Sequence, residues 1–179
     1  PQNHPNVKKC ELRGYDLHRY KSLSSPLEHL ELRLNTYCSV IRDIGNAHKN
    51  LISLDITVAD RDVQNNVFTV IPTLQNLRLR YTKFLPDLSG FVNLRTLHCE
   101  IEHSKNLETI SELPLERFIQ TGQSDNAAAL EDIFDVRIFA KMPLRELVVK
   151  YLSGDISQLK SRKFETFRIG RHVQLTDNK

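Results

Sequence analysis

The chain has 179 residues, the length of one ordinary domain, and its 25 Lys and Arg against 22 Asp and Glu give a net charge of +3. With 40% hydrophobic and 26% charged residues, it is typical of a folded protein and excludes a disordered tail or a collagen-like chain. Leucine is the most abundant residue, with 25 copies, but no apolar run reaches the about 20 residues of a membrane-spanning helix, so we expect no membrane contact.

The three cysteines, Cys10, Cys38 and Cys99, are widely spaced and odd in number, which is a poor basis for a disulfide framework. Residues 1–5 carry no basic and apolar pattern of a signal peptide. These features favour a reducing compartment, so we expect the protein in the cytoplasm or the nucleus.

A motif of the form L-x-x-L-x-L runs along the chain, and Leu27, Leu30 and Leu32 show it most clearly. Its apolar positions return in eight units, which start near residues 7, 27, 51, 74, 94, 115, 144 and 164. In a strand, alternate residues face opposite sides, so Leu30 and Leu32 are predicted to face a core. One unit cannot bury its apolar face alone, which predicts that the units stack into a parallel sheet.

This pattern resembles the leucine-rich-repeat superfamily, whose period is about 20–29 residues. The resemblance implies an α/β solenoid, with a curved parallel sheet on the concave face and short helices and irregular loops on the convex face. We expect residues 1–179 to form a single domain of about eight repeats within a longer chain.

The connections between the repeated motifs differ in their patterns. Helical spacing predicts short helices in three of them, at Val40, Ile41, Ile44 and Ala47, at Val63, Val67, Val70 and Ile71, and at Leu107, Ile110 and Leu113. Pro86 and Gly90 predict an irregular connection over 82–92. Residues 122–142 are predicted to hold a helix that opens at Ser124, followed by additional loop.

Residues 40–56 indicate a subgroup, because a helix there ends in His48-Lys49-Asn50 before the next strand motif. His4-Pro5-Asn6-Val7 repeats this junction. The unit resembles the intracellular repeats that are attached to F-boxes, in which the repeats bring a substrate protein to a ubiquitin ligase. No F-box sequence lies in residues 1–179, so an F-box could only lie outside them.

The repeat phase predicts two columns of side chains on the concave face. The first is Glu11, Glu31, Asp55, Arg78, His98, Ile119, Val148 and Arg168, and the second is Arg13, Arg33, Thr57, Arg80, Glu100, Thr121, Lys150 and Gly170. An apolar centre within polar residues suits a protein partner, because interfaces combine an apolar core with a polar rim.

We therefore expect a non-catalytic protein-recognition module that is part of a larger complex, with substrate recognition for an F-box-type ubiquitin ligase as its most specific form. The predicted contact residues are Glu31, Arg33, Asp55, Arg78, Arg80, His98, Glu100, Ile119, Val148 and Lys150. The alternative in which these are ordinary solvated residues and a partner binds at loops or an edge stays open.

Other functions have weaker signals in the sequence. Residues 78–84, together with Arg95 and Arg117, suit RNA or DNA, but Glu31, Asp55 and Glu100 lie on the same predicted face. The run His98-Cys99-Glu100-Ile101-Glu102-His103 cannot easily converge on one metal ion, because a strand separates its residues onto two faces. No catalytic motif is present, so we expect no enzyme and no cofactor, and regulation of an enzyme such as a GTPase has no identifiable residues.

Overall fold

The structure is a computed structural model that describes residues 8–13, 27–34, 44, 46–58, 69–82, 85–101, 107–121, 133–160 and 162–173. Its strands are β1 (Lys9–Arg13), β2 (His29–Leu34), β3 (Ser53–Val58), β4 (Asn76–Thr82), β5 (Thr96–Ile101), β6 (Arg117–Gln120), β7 (Phe134–Asp135), β8 (Glu146–Ser153) and β9 (Thr166–Val173). Among the described residues, the helices whose two ends are both described are α1 (Val136–Ala140) and two 3-10 helices, Leu107–Ile110 and Ile156–Leu159.

All the described strands belong to one parallel sheet. Each strand from β1 to β5 pairs with the next one along the chain, β6 pairs with β8, and β9 pairs with the other side of β8. The register aligns the central apolar residue of every motif, namely Cys10, Leu30, Leu54, Leu77, Leu97, Phe118, Leu147 and Phe167. The predicted solenoid of stacked parallel strands is therefore confirmed.

A repeated hydrogen-bond pattern joins each unit to the one before it. The carbonyl oxygen of the residue directly before one strand accepts from two consecutive amides at the start of the next repeat's strand, at distances of 2.7–3.2 Å. The accepting residues are Lys8, Glu28, Ile52, Gln75, Arg95, Glu116 and Arg145. Because both amides and the carbonyl form hydrogen bonds in this way, the first residues of these strands are aligned with one another across the sheet.

The core lies on one side of the sheet. In β5, Leu97, Cys99 and Ile101 are buried and alternate with partly exposed residues. The same alternation places Leu30 and Leu32 of β2 in the core, at 2% and 0% exposure. Toward the C-terminal half the leucines give way to phenylalanines, where the ring of Phe118 lies 5.8 Å from Phe134 and 5.0 Å from Phe139 between centroids.

The connections contain less helix than the spacing of apolar residues predicts. Ile44, Asn46 and Ala47 are helical, and the predicted helix near Leu107 is a single 3-10 turn. The helix predicted around Val63 and Val67 lies outside the described residues, but residues 69–71 that end it are not helical, and Val70 is exposed. Residues 85–92 are irregular, in agreement with the prediction from Pro86 and Gly90.

The connection between β6 and β8 is the most unusual. Residues 122–132, which include the predicted helix start at Ser124, lie outside the described residues. The chain then forms β7, which pairs with Leu152 and Ser153 near the end of β8. It lies on the same side of β8 as β6, which pairs with the beginning of that strand. Asp135 then caps α1 by accepting a hydrogen bond from the amide of Arg137 at 2.8 Å.

In the gap between β6 and β7 beside β8, a side chain provides the hydrogen-bond acceptor that the backbone of a neighbouring strand would otherwise provide. The amide of Lys150 donates to Oε1 of Gln120 at 2.8 Å, and Gln120 is only 8% exposed. A buried amide without an acceptor destabilises a fold, so this hydrogen bond compensates for the interruption of the strand row.

We predict that Gln120→Met, which keeps the length of the side chain but removes the acceptor, lowers the free energy of unfolding by about 1–3 kcal/mol. The matched control is Gln158→Met at an exposed position of the second 3-10 helix, which should change it by less than about 0.5 kcal/mol. Urea titration of both variants measures the difference, and equal losses would contradict this role of Gln120.

Candidate functional site

The open face is defined here as the sheet surface opposite the leucine core, formed by the side chains that alternate with buried residues. The register places one row across it, from Glu11 through Glu31, Asp55, Arg78, His98, Ile119 and Val148 to Arg168. Each side chain in this row therefore has the next as its direct neighbour on the adjacent strand, about 4.8 Å away in backbone spacing.

The neighbouring row is less regular than the repeat spacing predicts. Arg33, Thr57 and Arg80 are in register on β2, β3 and β4. The pairing of β4 with β5 then shifts between Leu79 and Thr82, so Arg80 and Glu100 are not register partners. Such a bulge redirects a side chain, and here it affects Arg80.

The acidic end of the open face is internally neutralised. Arg33 lies 3.0 Å from an Oε1 atom of Glu31 and 3.6 Å from that of Glu11. Hydrogen bonding to Glu31 raises the pKa of the Arg33 guanidinium above its ordinary value. These side chains form a local charge network rather than an unpaired acidic surface.

The centre of the open face holds one carboxylate between two guanidinium groups. Arg80 Nη2 donates to Oδ2 of Asp55 at 2.7 Å, and both side chains are about one quarter exposed, at 26% and 22%. Arg78 is the direct register partner of Asp55, yet no ion pair joins it to any residue in the described part of the chain. Its Nε atom is buried and has no hydrogen-bond acceptor there.

His98 lies next to Arg78 in the row and points to the Thr121 side chain, with Nε2 and Oγ1 2.9 Å apart. Burial and the positive charges of Arg78 and Arg80 lower the pKa of His98, against the weaker opposing effect of Asp55 and Glu146. The ring is therefore neutral at pH 7 and offers hydrogen-bonding atoms without adding charge.

The apolar part of the site follows directly. Ile119 is the register partner of His98 and of Val148, and both Ile119 and Val148 are partly exposed. Lys150 lies two residues further along β8, with its Nζ atom 5.6 Å from the centre of the Tyr151 ring. Two residues before Ile119 and Val148 on the same two strands, Arg117 donates to Glu146 at 2.5 Å.

The structure thus brings six of the predicted contact residues together in adjacent positions, namely Asp55, Arg78, Arg80, His98, Ile119 and Val148. Glu31 is the register partner of Asp55 but is paired with Arg33, while Glu100 and Lys150 lie two residues further along their strands than His98 and Val148. The contact of Thr121 with His98 and the pair of Arg117 with Glu146 were not predicted. Their positions in the repeat phase place them near the site, but spacing alone does not indicate which side chains bind each other.

Cys99 takes the core position that the strand alternation predicts, and burial raises the pKa of its thiol well above the ordinary value. Within the described ranges, no group of three His, Cys, Asp or Glu side chains is arranged to hold a metal ion. In the same part of the chain, none of the helices is both long and apolar enough to cross a membrane.

Comparison with known proteins gives no match, whether to a protein-family model, to a curated protein or to a solved structure. The chemistry of the open face is therefore the guide to function.

The lowered pKa of His98 predicts a pH dependence of stability. The unfolded chain binds a proton at His98 near pH 6.5 while the folded chain resists it, so the free energy of unfolding falls as the pH drops below about 6.5. In His98→Gln this contribution is absent, so we expect the variant to lose less stability than the wild type between about pH 7.5 and 5. Thermal unfolding at several pH values measures both slopes, and parallel slopes would show that the environment of His98 differs from the one described.

Proposed function

We propose that the protein is a non-catalytic recognition module that binds another protein through its open face. The observation that supports this proposal is a row of four side chains on β4, β5, β6 and β8, which are neighbours in the sheet. The row consists of a cation, a neutral polar ring and two apolar side chains, namely Arg78, His98, Ile119 and Val148. Protein interfaces combine a desolvated apolar centre with polar groups that fix orientation, and this row supplies both.

The repeat motif supports a more specific form of the proposal, in which the solenoid is of the leucine-rich-repeat type and the open face is its concave surface. The junction His48-Lys49-Asn50 before β3 supports the further proposal of an intracellular adaptor in a larger complex, of the kind that presents substrates to a ubiquitin ligase. His48 is 1% exposed, so the junction residue is part of the packed interior and not of the surface that would contact a partner.

Nucleic-acid binding remains the alternative from another class, and one contact weakens it. Arg80 is held by Asp55 at 2.7 Å, so only one of the two central arginines carries charge that is not paired within the described residues. Lys83, Tyr81 and Phe84 belong to the same basic segment, but the structure describes no side chain of these three. A phosphate backbone is bound through several cations at once, and in the described part of this face Arg33, Arg80 and Arg117 are already paired with carboxylates.

We predict that Ile119→Asp combined with Val148→Asp abolishes capture of protein partners by the immobilised chain. Two carboxylates at the apolar centre would be desolvated by a partner without compensation. The matched control is Val70→Asp combined with Val92→Asp, which adds the same charge at exposed valines before β4 and β5 and should leave capture intact.

Quantitative mass spectrometry of the captured proteins measures the effect, with circular dichroism to verify that both variants fold. Capture that survives in the open-face variant would refute this site. Recovery of RNA or DNA, with binding that weakens steeply with salt and with Arg78→Ala plus Arg80→Ala, would instead favour the alternative.

A further inference from the structure

The arginines on the open face differ in one respect. Arg33, Arg80 and Arg117 each bind a carboxylate, on Glu31, Asp55 and Glu146 respectively, at 3.0, 2.7 and 2.5 Å. Arg78 stands in the middle of the same surface and, like Arg168 at the end of the row on β9, has no such partner in the described part of the chain. Its guanidinium is partly buried by its neighbours, and its Nε atom is fully enclosed.

Asp55 is the nearest carboxylate in the register, but its Oδ2 atom binds Arg80 and its Oδ1 atom is buried without a hydrogen-bond partner. Asp55 is thus the register partner of Arg78 but binds Arg80, which leaves Arg78 without an ion pair in the described residues. A partly desolvated cation is stabilised when an anion completes its hydrogen bonds, and a planar guanidinium does this best with a carboxylate or a phosphoryl group.

His98 completes the polar surroundings of Arg78. The neutral ring already contacts Thr121 through Nε2, so it is oriented without an acidic partner. Glu100, two residues further along β5, has no ion pair with Arg78 or Arg80 in the described residues. An anion that binds at Arg78 therefore meets one unpaired cation and one polar ring on adjacent strands.

The spacing of the row limits what else the ligand carries. Ile119 lies two strands from Arg78 and Val148 lies three strands away, which corresponds to about 10 and 14 Å at the usual strand separation. An extended chain advances about 3.3 Å per residue. Because side chains of an extended chain alternate between two faces, a segment that crosses the strands reaches the apolar pair with the fourth residue from its anionic side chain, about 13 Å away.

From this arrangement we propose that Arg78 and His98 form an anion-binding subsite for an extended segment of a protein partner. The segment carries a carboxylate side chain that binds Arg78, and an apolar side chain four residues away, on the same face of the segment, that packs on Ile119 and Val148. This inference rests on the proposed function, since it specifies the chemistry of the partner at the open face.

The test uses four libraries of synthetic nine-residue peptides, in which the central residue is fixed as Glu, Asp, phosphoserine or Ser and the others vary. The immobilised chain should enrich peptides from the Glu and Asp libraries that carry Leu, Ile or Phe four residues from the centre. Enrichment from the phosphoserine library but not from the Glu and Asp libraries would contradict an acidic segment and indicate a phosphorylated one.

The best peptide is then measured by calorimetry against variants of the chain. Arg78→Gln should weaken its affinity about tenfold or more, and Arg78→Lys, which keeps the charge but not the planar pair of donors, should weaken it less. The matched control is Arg95→Gln, which removes the same charge from the connection that precedes β5 and should change affinity less than about twofold. Titration followed by NMR should also show that the bound peptide raises the pKa of His98.

Two results would overturn the subsite. One is that peptides from the Ser library are enriched as strongly as those from the Glu and Asp libraries, or that no library is enriched. The other is that Arg78→Gln and Arg78→Lys leave the affinity for the best peptide unchanged. If Ile119→Asp plus Val148→Asp still abolishes capture of partners in either case, the proposed function stands and only the anion-binding subsite fails.

Discussion

The stacking of incomplete units is the constraint on which the structure depends. A single motif exposes one row of leucines that it cannot bury, so each unit is stable only against its neighbours. The requirement fixes the register, because the buried residues of successive strands must meet at the same depth. The repeated carbonyl that accepts from two amides of the next unit enforces the same alignment from the backbone. This register determines which side chains are neighbours on the open face.

The regular register turns a linear sequence into a two-dimensional surface with a composition gradient. Acidic residues lie on the first three strands of the central row, a cation and a neutral histidine follow, and two apolar residues come next. Arg33 is paired with Glu31 at the acidic end, and Arg117 is paired with Glu146 beside the apolar pair. Arg78 stands between these two pairs and has no ion pair in the described residues.

The period of the leucines predicts the strands and their register, because burial of apolar residues dominates both. The bulge after Leu79 and the binding of Asp55 to Arg80 rather than to Arg78 are not predictable in this way, since several exposed pairings have similar free energies. The helical spacing before β4 did not produce a helix at residues 69–71, where Val70 is exposed and packs against Gly90. Short connections adopt whatever shape joins two fixed strands, so propensity decides less there.

The interrupted row beside β8 has a consequence for how this architecture can vary. β6 and β7 occupy the same side of β8 although eleven or more residues separate them in the chain, and Gln120 bridges the gap. The number of strands in the sheet and the number of residues in a unit are thus independent quantities. Additional sequence can enter the solenoid in the middle of a row, while the units on both sides keep their contacts and the surface they form remains continuous.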